Sequence, residues 1–346
     1  MNPLVWSLLI TTLTTSTIIT MSSNHWLLAW LGLEFNTMSI LPIMMKHHHP
    51  RMSEATTKYF LIQATAAATL LFASTINAWQ TGQWSLTQTN SSMTTAMATV
   101  AIMVKLGLAP THSWYPEVLQ GTTLHTAMII STWQKIAPLT LLYLIHNNTN
   151  HTILITCGLM SVIIGGITGL NQTQARKIMA FSSIAHMGWF LTAMTINQSL
   201  TTLTIMLYLV TTTATFIALT TTSTKTINDL NTTWTMSPTL LTTTMITLLS
   251  LAGLPPLSGF MPKWLIISEL ATTKMLPIGM VLLFATLPSL FFYTRMAYMT
   301  TLTNPPTTTT TKLSWRFTNT PHPITMTMIT SAWLLIPMTS ILHNTT

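Results

Sequence analysis

The sequence predicts an all-α, polytopic membrane protein, and three observations lead there. Charged residues make up 5% of the 346, against about 25% in a soluble globular chain. Apolar segments recur along the whole chain although threonine is abundant, and the mean hydropathy is +0.50. The basic residues of the loops fall almost entirely into alternate connections, the pattern that positive-inside sorting produces. Thirteen Lys and Arg contain no basic run, so the high pI of about 9.8 does not indicate a nucleic-acid partner.

A membrane crossing needs about 20 predominantly apolar residues. That length marks about eleven helices, near residues 3–21, 24–45, 55–80, 92–120, 123–145, 151–170, 174–194, 198–222, 237–271, 275–298 and 322–344. The first segment follows no basic region or cleavage site, so it reads as a retained membrane helix. The connections "KHHHPRMSE", "HNNTNH" and "NQTQARK" are too short to hold an extramembrane domain. If the helices are counted in order, the side of the N-terminus collects Lys46, Arg51, Lys58, Arg176, Lys177, Lys225, Arg295, Lys312 and Arg316. The opposite side, where the C-terminus lies, collects only Lys274.

Two segments exceed a single crossing, 92–120 and 237–271, and each carries breakers, "KLGLAP" and "AGLPPLSGFMPKW". Proline removes a backbone donor and clashes with the preceding turn. Such interruptions persist at membrane depth where they are buried in protein or line a wet cavity. They fall in the fourth and ninth helices. Residues 1–148 and 149–300 then read as two five-helix repeats of opposite orientation, each with its fourth helix broken, and 322–344 is an additional C-terminal helix. Transporters place their sites at broken helices in such inverted repeats. No residue identity joins the halves, so a plain proline kink with a short re-entrant piece stays open as the alternative.

Four ionisable residues fall inside the spans: Glu34, Lys105, Lys135 and Lys263. A charge at the centre of a span costs roughly 2.5–3.5 kcal/mol on insertion scales. Three lysines cannot share one glutamate, so structural pairing does not account for the set. Burial disfavours an ammonium and a nearby carboxylate favours it, a combination suited to proton handling. His186 lies mid-span, while His112 and His125 flank the first break; they read either as a relay or as hydrogen-bonded packing. His47, His48 and His49 read as a solvated loop, with metal binding as the alternative. Glu54 and Lys58 are spaced as an ordinary i,i+4 ion pair, Glu117 could pair with a histidine or another subunit, and Glu269 and Lys274 read as interfacial. Gly165 and Gly169 suit close helix packing. Cys157 is the single cysteine, which excludes an internal disulfide, a cysteine-rich zinc site and an iron–sulfur cluster. No metal site and no bound cofactor are expected of this chain.

The segments "MSSNHWLLAWLGLEFNTMSILPIM", "KLGLAPTHSWYPEVLQG", "SSIAHMGW" and "AGLPPLSGFMPKW" resemble the antiporter-like membrane subunits of respiratory complex I, which are similar to subunits of multisubunit cation/proton antiporters. The resemblance runs essentially end to end. It implies that Glu34, Lys105, Lys135 and Lys263 are this sequence's versions of the family's proton-channel residues. It implies proton translocation coupled to electron transfer from NADH to ubiquinone, with FMN, iron–sulfur clusters and ubiquinone in partner subunits. The expected partners are other membrane-arm subunits, with lipids such as cardiolipin compatible. The expected location is the mitochondrial inner membrane, with the N-terminus in the matrix and the C-terminus in the intermembrane space. A free-standing cation/proton antiporter is the alternative function.

Overall fold

A computed structural model describes residues 2–89, 91–235, 238–302 and 323–335, with the single positions 309, 313 and 316. Every regular element among them is helical. Eight helices are long and apolar enough to cross a membrane, and Ser92–Leu106 and Thr239–Ala252 are shorter apolar ones. Eleven crossings are therefore not all matched by helices of full length. The last predicted helix appears as Pro323–Leu334; its remainder and Lys312 lie outside the described residues.

Threonine is compatible with these spans because its hydroxyl is satisfied within its own helix. Ser16, Thr17 and Thr20 donate to the carbonyls of Leu13, Thr14 and Thr17 at 2.9, 2.7 and 2.7 Å. A hydroxyl so bonded presents only its methyl group outward, so an apolar environment does not meet an unpaired polar group.

The chain divides into two compact units, residues 1–157 and 158–346. The first holds α1 (Pro3–Ser22), α2 (Trp26–Met44), α3 (Pro50–Thr81), α4 (Ser92–Leu106), α5 (Trp114–Gly121), α6 (Leu124–Ser131) and α7 (Trp133–Ile145). Gly32 of α2 lets α1 approach closely; a Cβ there would lie 3.1 Å from the Ser16 carbonyl. The predicted break after Lys105 is present. Gly107 caps α4 in the left-handed region at φ 70°, which a residue without a Cβ adopts at little cost, and α5 starts only at Trp114.

The predicted 123–145 span differs in one respect, for it is interrupted at Thr132, where φ is −113° and ψ −71°. The hydroxyls of Ser131 and Thr132 both donate to the Met128 carbonyl, at 3.0 and 2.7 Å. Such back-bonding competes with the helical ladder. A second break thus lies three residues before Lys135.

The second unit contains most of α8 (His151–Gly169), followed by α9 (Ala175–Ile196), α10 (Gln198–Thr221), α11 (Ile227–Leu230), α12 (Pro238–Ala252), α13 (Phe260–Thr272), α14 (Leu276–Thr300) and Pro323–Leu334. Almost all of α9 is buried, and its Trp189 joins Val162, Ile266, Leu270 and Leu282 in one core. Gly165 serves the close packing expected of it: a Cβ there would meet Ala185 N at 2.8 Å and Phe181 O at 2.9 Å. The second predicted break is also present. It lies between Ala252 and Phe260, with Gly253 at φ 82°.

Candidate functional site: buried lysines beside two broken helices

In the first unit, six helices converge on a cavity of about 380 Å³ of empty space that both Lys105 and Lys135 line. Leu33, Asn36 and Thr37 reach it from α2, Tyr59 and Gln63 from α3, Trp114 and Tyr115 from α5, and Gln134 and Pro138 from α7. Spacings of three and four residues put the α2, α3 and α7 sets each on one helix face. The two lysines are buried, 6% and 3% exposed, and the cavity lining contains no carboxylate.

Each lysine is held by polar or aromatic groups. Lys105 Nζ donates to the Gln63 carbonyl at 3.4 Å, and Gln63 Nε2 donates back to the Lys105 carbonyl at 3.2 Å. That carbonyl lies in the last turn of α4, where helical partners run out, and the negative end of the helix dipole favours a cation there. The ammonium of Lys135 lies 4.9 Å from the centroid of the Tyr115 ring, a cation–π contact of about 2 kcal/mol when desolvated. Tyr59 Oη donates to Gln134 Oε1 at 3.4 Å, and Gln134 Nε2 donates to Asn36 Oδ1 at 3.1 Å. A polar chain thus crosses from α3 to α7 to α2 along the wall of the cavity.

Glu34 is half-buried on α2, next to the lining residue Leu33 and two residues before Asn36. It receives a hydrogen bond from Thr37 Oγ1 at 3.3 Å and forms no ion pair with Lys105. His112 stays on the loop of the break, with Nδ1 3.2 Å from the Pro110 carbonyl, and does not line the cavity. His125 is exposed. Within the chain Glu117 meets Lys58 at 2.7 Å, as does Glu54, in place of a histidine. All three side chains are substantially exposed, so solvent screens the cluster.

In the second unit Lys263 sits one turn into α13 and reaches back across the break. Its Nζ donates to the Ala252 carbonyl, the end of α12, at 2.9 Å. The geometry parallels Lys105, an ammonium at the carboxyl end of the helix that precedes a break. Lys263 and His186 line two cavities together. One, of about 520 Å³, also includes Tyr208, Thr211 and Ser250; the other, of about 230 Å³, includes Ser182, Ser289 and Tyr293. The ring centroids of His186 and Tyr208 are 5.8 Å apart. No carboxylate lines either cavity.

Sequence reasoning missed Asn36, Tyr59, Gln63, Gln134 and Tyr115 in the first unit and Tyr208 in the second. The signal for Tyr59 and Gln63 was available, since a tyrosine and a glutamine four apart share one face of an otherwise apolar helix. Among the described residues no group of three or more His, Cys, Asp and Glu comes together.

Membrane-spanning helices, shorter ones that end at breaks, and buried lysines lining cavities beside those breaks define the class of antiporter-like membrane subunits. The NADH:quinone oxidoreductase/Mrp antiporter family pattern matches residues 23–289, and the pattern of the NADH dehydrogenase subunit 2 C-terminus matches residues 290–343. Among similar proteins, the NADH-ubiquinone oxidoreductase chain 2 of Tetraodon nigroviridis is 50% identical over 98% of this chain and 97% of its own length. That of Oncorhynchus mykiss is 51% identical, also over 98% and 97%. The chain belongs to the NADH-ubiquinone oxidoreductase chain 2 family. In fold it is similar to a chain of respiratory complex I from Thermus thermophilus, with a TM-score of 0.84 and 24% identity over 99% of this chain and 78% of that one. It is also similar to a chain of the Mrp complex from Dietzia sp., with a TM-score of 0.77 and 15% identity over 86% and 61%.

Proposed function

We propose that this chain is a core membrane subunit of proton-translocating NADH:ubiquinone oxidoreductase and that its buried lysines carry the protons. The observation that supports this most is the placement of Lys105 and Lys135, buried and charged in type, on one cavity beside a broken helix. Nothing in stability alone favours such a placement. The cavity offers several polar partners, enough to admit water between the two ammonium groups. Glu34 biases Lys105 through space, and Lys135 passes the proton toward Lys263, with His186 as a relay beside it. His112, on the loop, is the weaker relay candidate.

Electron transfer belongs to partner subunits that hold FMN, iron–sulfur clusters and ubiquinone. A single cysteine offers too few thiolates for a cluster here. The partners are other membrane-arm subunits of the complex, with cardiolipin-like lipids around them, in the mitochondrial inner membrane. The N-terminus faces the matrix and the C-terminus the intermembrane space, as the loop lysines and arginines sort. A free-standing cation/proton antiporter shares the fold, but the relatives near half identity are oxidoreductase chains.

The test is purification of the native assembly, followed by reconstitution into liposomes. The chain is expected to co-migrate with NADH–quinone activity and to move no protons when isolated. Proton exchange by the isolated chain would refute the reading.

A further inference from the structure

Two features of the first cavity require an explanation beyond the lysines themselves. Glu34 makes no contact ion pair with Lys105 and reaches it through space, so its effect depends on how α2 is held against the helices that carry the lysines. The start of α7, which carries Lys135, is also poorly restrained by its own backbone. It follows the interruption at Thr132, and Pro138 has no N–H to donate to the Gln134 carbonyl four residues earlier.

Gln134 answers both points. Its side-chain amide accepts from Tyr59 Oη and donates to Asn36 Oδ1. Asn36, Tyr59 and Gln134 are 2%, 3% and 9% exposed, so these groups have no bulk water to replace a lost partner. Asn36 is two residues from Glu34 on α2, and Gln134 is the neighbour of Lys135 on α7. A displacement of α2 that moves Glu34 must pull on Gln134 or break a buried hydrogen bond.

We propose that Gln134 is a positioning residue of the proton path: its amide, held between Asn36 and Tyr59, couples the helix carrying Glu34 to the helix carrying Lys135. This rests on the reading of Lys135 as a proton carrier. The amide itself carries no proton onward; it fixes where the Lys135 ammonium stands relative to the cavity, and it shifts that position when α2 shifts.

The test uses the whole complex, reconstituted in liposomes, with turnover and protons moved per NADH oxidised both normalised to assembled complex. Gln134→Met keeps the side-chain length and removes the amide. It is expected to lower coupled turnover about fivefold, the equivalent of one buried hydrogen bond. Asn36→Leu is expected to do the same, and the double variant to be no worse than either single one, because the two residues act through one bond. The exchange Asn36→Gln with Gln134→Asn keeps their combined reach and is expected to restore pumping lost in Asn36→Gln alone. That exchange carries the test if Gln134→Met does not assemble. Unchanged turnover and proton ratio in Gln134→Met, multiplying effects in the double variant, or an exchange that assembles without restoring pumping would each overturn the proposal. Lys135→Ala separates the two levels. If it pumps normally, the reading of the lysine fails; if it is impaired while Gln134→Met is normal, only the coupling role fails.

Discussion

Lys105→Met separates a lysine retained for function from one retained for stability. A lysine near the centre of a span costs roughly 2.5–3.5 kcal/mol to insert. Lys105 recovers little of that, because its ammonium makes one long hydrogen bond, 3.4 Å to the Gln63 carbonyl. A well-formed bond to a charged group contributes about 1.5–3 kcal/mol, and at this length it contributes less. Methionine fills nearly the same volume without the charge. The return bond from Gln63 Nε2 goes to the backbone carbonyl of residue 105, so the end of α4 stays satisfied in the variant. The substitution is therefore expected to stabilise the subunit by on the order of 1–2 kcal/mol while abolishing proton movement through this cavity. The assay combines the amount of assembled complex on native gels, its resistance to thermal dissociation, and NADH-driven proton uptake in liposomes. Poor assembly with normal pumping per assembled complex would refute the reasoning, since the lysine would then be a structural partner.

Three further outcomes are expected. Lys105→Arg pumps poorly although it keeps the charge, because a guanidinium does not release its proton; normal coupled turnover in that variant would show that residue 105 never releases one. Glu34→Gln slows coupled turnover several-fold and leaves assembly intact; the effect stays below that of a contact ion pair, about 4 kcal/mol at an effective dielectric of about 20, and an unchanged rate in liposomes would remove Glu34 from the path. Asp229 lies outside the spans, and its Oδ2 accepts from the backbone of Thr226 at 2.8 Å and Lys225 at 3.0 Å. Partial burial by itself raises that carboxyl, but the two backbone donors, the Thr226 hydroxyl and the Lys225 charge together hold it below the usual carboxylate range. A depressed folded value means that these cap bonds at the start of α11 are fully supported above the ordinary carboxylate pKa and weaken as pH falls through the folded one. The hydrogen-exchange protection of the Lys225 and Thr226 amides, taken relative to their intrinsic rates, should fall only as pH drops below the ordinary carboxylate range, and Asp229→Asn should abolish that dependence.

The sequence was sufficient for the all-helical membrane class and for the two breaks because the bilayer imposes its rule one segment at a time. Scarce charge, spans of fixed length and the breakers around Gly107 and Gly253 are local properties, and each is visible without knowing any neighbour. The four intramembrane ionisable residues were legible for the same reason, as exceptions to a uniform solvent. The interruption at Thr132 was not, because back-bonding by Ser131 and Thr132 competes with the helix only marginally and packing decides the result.

Partnership was decided by the tertiary structure alone. That Lys105 and Lys135 share one cavity, that Lys263 reaches back to the Ala252 carbonyl, and that Glu117 meets Lys58 all depend on which helix faces which. Glu34 acts on Lys105 without touching it, whereas the Gln63 carbonyl touches the Lys105 ammonium and the Tyr115 ring faces that of Lys135. Neutral partners of that kind leave no mark in composition, since Gln63, Gln134 and Asn36 look like ordinary polar interruptions until the helices pack. A span's cost of insertion is written in its own residues, whereas the satisfaction of a buried amide or ammonium is a property of the two helices that meet around it.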